Sequence, residues 1–236
     1  MDANAALIEL ICGRAAMKWP LLVGLAGPVA VGKTTIVRGL ADELARRGHA
    51  VEVVSTDAFL LPNATLHARG LQLRKGFPES YDTEAMRTAL ETLRRGGAAA
   101  VPVYSHDVYD VVPGAVQSVG PADVILLEGV VALQPPAADL IDLAVYVEAA
   151  ESDVREWFVA RFLRLTAAAA ADASSFYHPF AALPPDQLQA IAGGTWDAIN
   201  APNLHRHIAP SATRADVVVR KAADHAVVEV RIVPRP

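Results

Sequence analysis

The octapeptide GPVAVGKT at residues 27–34 constrains this chain more than any other stretch. It matches the pattern G-x-x-x-x-G-K-[ST] at each fixed position, and this pattern builds a loop whose backbone N–H groups surround phosphate oxygens. Residues 21–26 before it read as a buried strand, and residues 33–47 after it read as a helix that ends before Gly48. The N-terminus of that helix would therefore face a bound phosphate and stabilise its charge.

The loop supplies a set of predicted nucleotide-binding residues. Its two fixed glycines let the backbone approach the phosphates, Lys33 reaches the terminal phosphates, and the Thr34 hydroxyl is a ligand for Mg²⁺. The chain has only four lysines against seventeen arginines, so a lysine at this position indicates a function in phosphate binding. The predicted nucleotide-binding residues of the loop are Gly27, Pro28, Val29, Ala30, Val31, Gly32, Lys33, Thr34 and Thr35.

Strand and helix patterns alternate along the chain and predict a P-loop NTPase-like α/β fold with a doubly wound parallel sheet. Residues 51–55 read as the second strand, residues 123–129 as a buried strand that ends in an acid, and residues 140–147 as a further strand. Residues 215–220 and 226–233 surround a turn and predict a C-terminal β-hairpin.

The segments between these strands predict helices and loops. Residues 1–18 and residues 83–95 have helical patterns, and Asp82 is expected to cap the second of these helices. Residues 58–81 form a connection rich in turn residues, and long ordered connections of this kind are usually functional. Residues 101–104 read as a short strand that leads into a polar loop.

A helical lid is predicted at about residues 150–210, over the site where a molecule that accepts a phosphoryl group would bind. Ser152 is expected to cap a helix that carries three arginines, and residues 184–200 read as another helix. The alanine-rich residues 166–175 favour either a continuation of the first helix or a mobile lid tip. Residues 203–210 read as a turn-rich stretch.

Composition limits the fold and the partners. A chain of 236 residues that is 53% hydrophobic can bury the core of one domain, expected over residues 1–236. The net charge of −5 and the absence of a basic stripe predict no nucleic-acid partner. Cys12 is the only cysteine, which excludes an intrachain disulfide and suits a reducing cytoplasm. No signal-like start and no run of 18 apolar residues occur, so we expect a cytoplasmic location and no membrane partner.

Two acidic residues follow predicted parallel strands, at the sheet edge where ligands bind in such folds. Asp57 comes after the second strand and is a candidate to accept the proton of an attacking hydroxyl or to hold Mg²⁺. Glu128 ends the buried strand VILLE, and a carboxylate there needs a metal, water or a basic partner. The structural alternatives are an aspartate that orders the loop and a glutamate that faces solvent.

Basic and aromatic residues supply the other candidates. Arg161 and Arg164 lie three apart and share one helix face, from which guanidinium groups can bind the oxygens of a transferring phosphoryl group. A solvated helix face is the alternative for Arg164. His106, with Tyr104 and Tyr109 nearby in sequence, could contact a polar substrate, although a single histidine is more often structural. The other histidines lack acidic partners at ligand spacing, so no zinc site is predicted.

Longer motifs make the chain similar to one family along most of its length. They are STDAFL at 55–60, RG at 69–70, KGFPESYD at 75–82, VYSHDVYD at 103–110, LEG at 127–129, Trp157, RFL at 161–163, NL at 203–204 and HAV at 225–227. The chain resembles the bacterial type I pantothenate kinases, members of the phosphoribulokinase and uridine kinase group of P-loop kinases. KGFPESYD and YSHxxYD are far more specific signals than the phosphate loop.

The resemblance implies a function and a set of residue roles. It implies an ATP- and Mg²⁺-dependent kinase for a small molecule, with pantothenate as the expected acceptor and a homodimer as the expected assembly. Lys33 and Thr34 would bind ATP and Mg²⁺, Asp57 would be the base for the pantothenate hydroxyl, and Arg161 would stabilise the transferring phosphate. The implied substrate contacts are Tyr104, His106, Phe158 and Asn203, and Arg38 falls where the family holds nucleotide or the inhibitor coenzyme A.

The departures from the family lie around the acceptor pocket. Phe158 stands where the family has a tyrosine, and Leu165 replaces an aromatic residue on the pocket wall. Losing a hydrogen bond to a substrate hydroxyl can shift specificity. One alternative is therefore a kinase of the same group for another acceptor, such as a nucleoside, sugar or hydroxy acid. Another is a nucleotide-hydrolysing switch or chaperone, although the chain has no N-K-x-D stretch to recognise guanine.

Overall fold

A computed structural model describes residues 3–234. Within these residues, eight strands form two sheets, accompanied by six α-helices of six or more residues. The strands are β1 Leu21–Ala26, β2 Val51–Ser55, β3 Ala99–Ser105, β4 Asp110–Val119, β5 Val124–Glu128, β6 Leu143–Glu148, β7 Val217–Lys221 and β8 Val227–Ile232. The helices are α1 Ala3–Ala15, α2 Lys33–Arg46, α3 Asn63–Ala68, α4 Thr83–Arg94, α5 Glu151–Ala168 and α6 Pro185–Thr195.

The main sheet has the order β2-β5-β1-β6-β7-β8. The first five strands in this order are parallel, and β8 returns antiparallel to β7 as the predicted hairpin. The chain starts in the middle at β1 and builds outward in both directions, so the prediction of a doubly wound α/β fold with a C-terminal hairpin is confirmed. Every residue of β1 and β5 is buried, as expected for central parallel strands.

The strand register gathers the predicted site at one edge of this sheet. β5 lies between β1 and β2, and Glu128 pairs with Leu25 on one side and Ser55 on the other. The connections that leave β1, β2 and β5 therefore emerge side by side. They carry the phosphate loop, Asp57 and Gly129, so residues far apart in sequence meet at the carboxyl edge.

Strand β4 was missed by the sequence analysis. It pairs with β3 in a separate antiparallel sheet of two strands, from Ala99 opposite Val119 to Ser105 opposite Asp110. The alternation of apolar and polar residues that identifies a strand is interrupted here by Pro102, Pro113 and Gly114. The strand pattern in the sequence is therefore weak. The turn between the strands is the polar loop of residues 105–110.

The lid region differs from the sequence prediction in two ways. Ser152 does not cap α5, because the helix already begins at Glu151 and Ala150 occupies the N-cap. Two acids in the first turn, Glu151 and Asp153, stabilise the helix N-terminus by their charge instead. Of the alanine-rich stretch, residues up to Ala168 continue α5, as one predicted alternative had it, and a single 3₁₀ turn follows.

The predicted turn-rich stretch at residues 203–210 is helical. After α6 the chain continues through the wide π-helical turns Trp196–Asn200 and Leu204–Ile208, with the short α-helical segment Ala201–Asn203 between them. A wide turn relocates backbone hydrogen bonds, so the missing N–H of Pro202 does not end the helix. The cap of α4 by Asp82 is as predicted. Helix α1 is present as predicted but ends at Ala15 instead of residue 18, and residues 1 and 2 of the predicted helix lie outside the described residues.

Candidate active site

The phosphate loop has a backbone that only its glycines adopt readily. Gly27 has a φ of 150°, and a Cβ atom there would lie 2.4 Å from the carbonyl oxygen of Val147. Gly32, with a φ of 92°, precedes α2, and a Cβ atom on it would lie 2.7 Å from Nζ of Lys221. The loop therefore forms a narrow cradle at the N-terminus of α2, which fits a phosphate chain better than any side chain.

Lys33 lies inside this cradle. Its side chain is 8% exposed, and Nζ donates hydrogen bonds of 3.0 and 2.9 Å to the carbonyl oxygens of Gly27 and Pro28. Burial lowers the pKa of Lys33, the carboxylates of Glu128 and Asp57 raise it, and the charge of Arg161 lowers it. Glu128, Asp57 and Arg161 therefore all lie close enough to Lys33 for their charges to act on it.

Thr34 and Glu128 form the candidate metal site. The Thr34 hydroxyl donates a 3.2 Å hydrogen bond to Oε1 of Glu128, whose carboxylate is buried at the end of β5. Two oxygen atoms held together beside a phosphate cradle are the ligands that Mg²⁺ prefers, and Mg²⁺ commonly binds one or two protein oxygens together with substrate phosphates. The residues therefore fit the predicted ion.

Asp57 lies in the short 3₁₀ helix Thr56–Phe59 that follows β2. Its backbone N–H donates to the Ser55 hydroxyl at 3.3 Å, which fixes the turn, and its side chain is half-buried at the wall of a cavity. Arg161 reaches the same cavity from α5, while Arg164 is exposed and does not line it. The structure therefore brings together Asp57 and Arg161 but leaves Arg164 on the outer face of the helix.

The cavity has a volume of about 350 Å³, within the range of small-molecule sites. Its wall combines polar groups near Asp57 with an apolar surface contributed largely by the lid. The polar lining residues are Asp57, Gln72, Lys75, Tyr81, Tyr104, His106, Tyr109, Arg161, Tyr177, Thr195, Asn200 and Asn203. The apolar ones are Val29, Leu60, Leu73, Val130, Phe158, Phe162, Leu165, Phe176, Phe180, Ile191, Ile199 and Ile208.

Aromatic rings organise the polar side of the cavity. The ring of Tyr104 contacts His106 and Tyr109 edge to face, with centroids 5.2 and 6.4 Å apart. Lys75 lies over the same tyrosines, 4.3 Å from the Tyr109 ring centroid, and donates hydrogen bonds to Asn63 and to the Tyr109 carbonyl oxygen. Burial lowers the pKa of Lys75 to about 8, although Asp110 and Asp57 oppose this shift. The loop of residues 105–110 is thereby fixed against the connection after β2.

Asn203 lines the cavity and has one buried polar atom without a partner. Its amide nitrogen donates a 2.8 Å hydrogen bond to the carbonyl oxygen of Gly76, which fixes the orientation of the side chain. Its Oδ1 atom is buried and has no hydrogen-bond partner within residues 3–234. A buried acceptor without a partner is costly, so a ligand N–H or O–H group would complete it.

The lid closes the apolar side. Phe158 and Leu165, both departures from the family pattern, line the cavity, and Phe158 packs at a tilt against Trp196. The backbone N–H of Phe176 donates a 2.7 Å hydrogen bond to the carbonyl oxygen of Asp107, and its ring stacks on Tyr109. The stretch after α5 therefore covers the acceptor side, as expected for a lid.

Three residues of the site were missed by the sequence predictions. Thr35 and Arg38, both predicted nucleotide contacts, are exposed on α2, the helix that follows the phosphate loop, and their role stays a prediction. The roles of Lys75 and Tyr81 were missed, although both belong to the KGFPESYD motif that carried the resemblance. Lys221 was also missed, and no feature of the sequence indicates its contact with the phosphate loop. It lies on the hairpin, 190 residues beyond Val31, and donates a 2.8 Å hydrogen bond to the Val31 carbonyl oxygen.

With this geometry established, comparison with known proteins assigns the chain to a family. The family model described as phosphoribulokinase / uridine kinase matches residues 22–164, which include the phosphate loop, Asp57, Glu128 and Arg161. The chain belongs to this family.

Two curated relatives have the same printed name. The pantothenate kinase of Clavibacter michiganensis subsp. michiganensis is 44% identical over 228 residues, which cover 92% of this chain and 72% of that protein. The pantothenate kinase of Sorangium cellulosum is 46% identical over 229 residues, which cover 93% of this chain and 74% of that protein. The resemblance to pantothenate kinases is therefore confirmed.

Solved structures support the fold. D-glycerate 3-kinase from Cryptococcus neoformans var. grubii superposes with a TM-score of 0.68 over 98% of this chain and 99% of that one, at 15% identity. At that identity the likeness concerns the fold alone. Together with the family match, the relatives confirm the prediction of an ATP-dependent small-molecule kinase. In the described part of the chain, no helix is long and apolar enough to cross a membrane.

Proposed function

We propose that this chain transfers the γ-phosphate of ATP to the primary hydroxyl of pantothenate, giving 4′-phosphopantothenate for coenzyme A biosynthesis. The observation that carries the proposal is a cavity whose lining includes Asp57, Arg161, Tyr104 and Asn203 as well as Val29 of the phosphate loop. The charges of Asp57 and Arg161 also act on Lys33 inside that loop. An acceptor in this cavity would lie in reach of both the base and the phosphate site. The curated relatives at 44–46% identity supply the choice of pantothenate.

Each charged residue has a role in the proposed reaction. Asp57 accepts the proton of the attacking hydroxyl, and Lys33 and Arg161 stabilise the charge on the transferring phosphoryl group. Thr34 and Glu128 hold Mg²⁺, which neutralises charge on the β- and γ-phosphates when it is bound. The charges of Asp57, Glu128 and Arg161 all act on Lys33, which supports a joint role for these groups in phosphoryl transfer.

The polar wall of the cavity suits an amide-containing acceptor. Asn203 offers an acceptor for an N–H or O–H group of the substrate, and His106 is exposed at the mouth while Tyr104 lies half-buried behind it. The ammonium group of Lys75 provides a positive charge that would attract an anionic substrate such as pantothenate. Phe158 contributes apolar surface only.

The domain organisation, assembly and location of the chain are further parts of this proposal. The chain acts as one kinase domain over residues 1–236, of which residues 3–234 are described, and residues 150–210 form its lid and acceptor wall. A homodimer, a cytoplasmic location, and the absence of nucleic-acid and membrane partners follow from the resemblance and the composition, and they stay predictions. Arg38 as a nucleotide contact is one too, and in the structure it lies on the exposed side of α2.

An acceptor screen tests the proposal. ADP release is measured with the purified protein, ATP and Mg²⁺, in the presence of pantothenate, a nucleoside, a sugar, a hydroxy acid, or no acceptor. We expect turnover to depend on pantothenate and its product to carry one added phosphate by mass spectrometry. Turnover with a different acceptor would make the chain a kinase of the same group with another substrate. Turnover at the same rate without any acceptor would indicate a nucleotide-hydrolysing switch.

Phe158 gives a prediction about affinity. Phe158→Tyr restores the hydroxyl that the family has at this position, and we expect it to lower the KM for pantothenate about two- to twelvefold, the value of one neutral hydrogen bond of about 0.5–1.5 kcal/mol. The KM for ATP should not change, because Phe158 lines the acceptor cavity and packs on Trp196 of the lid. Steady-state kinetics with each substrate varied in turn provide the measurement.

The matched control is Phe162→Tyr, because Phe162 lies on the same helix, lines the same cavity, and belongs to the RFL motif in which the chain resembles the family. An improved KM in both variants would mean that added polarity, not the position, is responsible. If neither wild type nor Phe158→Tyr phosphorylates pantothenate while another compound is turned over, the acceptor assignment is wrong.

A further inference from the structure

Lys221 is a buried cation that the proposed mechanism does not use. It is 7% exposed at the end of β7, and its ammonium group donates a 2.8 Å hydrogen bond to the carbonyl oxygen of Val31 in the phosphate loop. Burial lowers the pKa of Lys221, and no carboxylate of the described residues opposes this shift. Burying an ammonium group without a carboxylate partner is costly, so a lysine at this place indicates a function beyond the stability of the hairpin.

The hydrogen bond from Lys221 fixes the peptide group between Val31 and Gly32. A peptide group is planar and trans, so its carbonyl oxygen and its N–H point in opposite directions. By holding the Val31 carbonyl oxygen, the ammonium group therefore also sets the direction of the Gly32 N–H. Gly32 is one of the two fixed glycines of the phosphate loop, whose backbone N–H groups bind phosphate oxygens. The hairpin thus acts on the part of the loop that would bind the nucleotide.

The same hairpin holds helix α5 through Trp157. The indole N–H of Trp157 donates a 3.1 Å hydrogen bond to the carbonyl oxygen of Ala223, in the turn between β7 and β8. The Trp157 ring stacks on His225 with ring centroids 4.1 Å apart, and the ammonium group of Lys221 lies 5.3 Å from the same ring centroid. A cation at this distance is attracted to the face of an indole ring. Three contacts therefore join α5 to the hairpin at one residue.

Trp157 lies one helical turn before Arg161. Residues four apart in a helix are neighbours on one face, so the contacts of Trp157 fix the turn of α5 from which Arg161 extends. Arg161 lines the acceptor cavity, and its charge acts on Lys33 inside the phosphate loop. The hairpin is consequently connected to both sides of the phosphate site, to the loop through Lys221 and to α5 through Trp157.

We propose that the hairpin clamp, formed by Lys221, Ala223 and His225 around Trp157, positions the phosphate loop and Arg161 relative to each other. Lys221 and Trp157 are then positioning residues, which act through the Gly32 N–H and the Arg161 guanidinium group. This rests on the role proposed for Arg161 in phosphoryl transfer. Such positioning matters because a displacement of about 1 Å, caused by a change far from the reacting atoms, can lower a rate about a hundredfold.

A double-mutant cycle with Arg161→Ala tests the proposal. Lys221→Met keeps the aliphatic stem and removes the ammonium group, and Trp157→Leu removes the stacking and the indole hydrogen bond. Single-turnover rates are measured at saturating enzyme, with pantothenate or whichever acceptor the screen identifies. We expect each change to lower the rate about tenfold in the wild type but less than about twofold in Arg161→Ala, because misplacing a guanidinium group that is already absent costs nothing further.

Arg220→Met is the matched control. Arg220 precedes Lys221 on β7, but it is exposed and pairs with Glu148 and Glu229 instead of contacting the phosphate loop. Its removal should leave the rate unchanged in both backgrounds. Melting curves show which variants are folded. Trp157→Phe, which keeps an aromatic ring and loses only the N–H donor, takes the place of Trp157→Leu if that variant does not fold.

The cycle separates positioning from independent contributions. Equal losses in the wild type and in Arg161→Ala would mean that Lys221 and Trp157 act without Arg161, for example by a direct contact of Lys221 with the nucleotide, and the proposal would be wrong. Wild-type rates in Lys221→Met and Trp157→Leu would also overturn it. If Arg161→Ala alone keeps the wild-type rate, the proposed role of Arg161 fails first and the positioning by the hairpin clamp fails with it.

Discussion

Lys33→Ala is expected to lower kcat at least a hundredfold while the protein stays folded. Lys33 supplies positive charge inside the phosphate cradle, where charge stabilisation in a site shielded from water is worth far more than in solution. A hundredfold loss corresponds to about 2.7 kcal/mol of transition-state stabilisation. The free energy of unfolding should change little, because two effects oppose each other. Removing the buried ammonium group relieves the cost of its burial, which is the cost that lowers its pKa, but the two hydrogen bonds from Nζ to the loop are lost.

The measurement is steady-state ADP release at saturating ATP and acceptor, with circular dichroism and a melting curve to show that the variant is folded. Lys33→Met is a second variant that keeps the aliphatic stem and removes only the charged end. Lys18→Ala is the matched control, since Lys18 is paired with Asp142 near the start of β1, away from the phosphate loop. If Lys33→Ala keeps more than about a tenth of the wild-type kcat, the variant has lost less than about 1.4 kcal/mol of transition-state stabilisation. That result would falsify the catalytic role of Lys33.

The fold was predictable where local patterns are strong. β1, β2, β5 and the hairpin follow from apolar runs bounded by turn residues, and their parallel order follows from the alternation with helices. β4 was not predictable in the same way, because its residues are partly exposed and Pro113 and Gly114 lie within it. The helical continuation after α6 was missed for a related reason: Pro202 and Pro210 suggest an end, and wide turns that accommodate a proline leave no pattern in sequence.

The site was predictable where one motif or one strand end positions a side chain. Lys33 and Thr34 follow from the phosphate loop, and Asp57 and Glu128 follow from the rule that ligand sites lie at the carboxyl ends of parallel strands. Lys221 could not be predicted, because only the pairing of β7 with β6 brings the hairpin to the phosphate loop.

The acceptor wall shows a further limit of sequence reasoning. Its residues come from the connection after β2, the β3–β4 turn and the lid, and no periodicity links these segments. Arg161 and Arg164 illustrate the point. Both lie on α5, three residues apart, but only Arg161 lines the cavity. The unpaired atom of Asn203 is also invisible in sequence, because it depends on what every neighbouring group binds.

Asp57→Asn is expected to lower kcat by about two orders of magnitude or more, with a smaller change in the KM for ATP. The amide keeps the shape of the carboxylate and the backbone hydrogen bond to Ser55, but it cannot accept a proton from the attacking hydroxyl. General base catalysis typically contributes about 10²- to 10⁴-fold, which sets the expected size of the loss. Asp107→Asn is the matched control, because Asp107 is exposed on the neighbouring β3–β4 turn and does not line the cavity.

Single-turnover kinetics decide between a base and a nucleotide ligand. When enzyme is in excess over ATP and the acceptor is saturating, a missing base slows the phosphoryl-transfer step itself, whatever the affinity for ATP. Asp57 lines the acceptor cavity, and the candidate metal ligands Thr34 and Glu128 form a hydrogen bond with each other. We therefore expect the single-turnover rate of Asp57→Asn to fall as far as kcat does. A normal single-turnover rate combined with weakened ATP binding would instead assign Asp57 to the nucleotide or its metal ion, and the base would have to be sought elsewhere in the cavity.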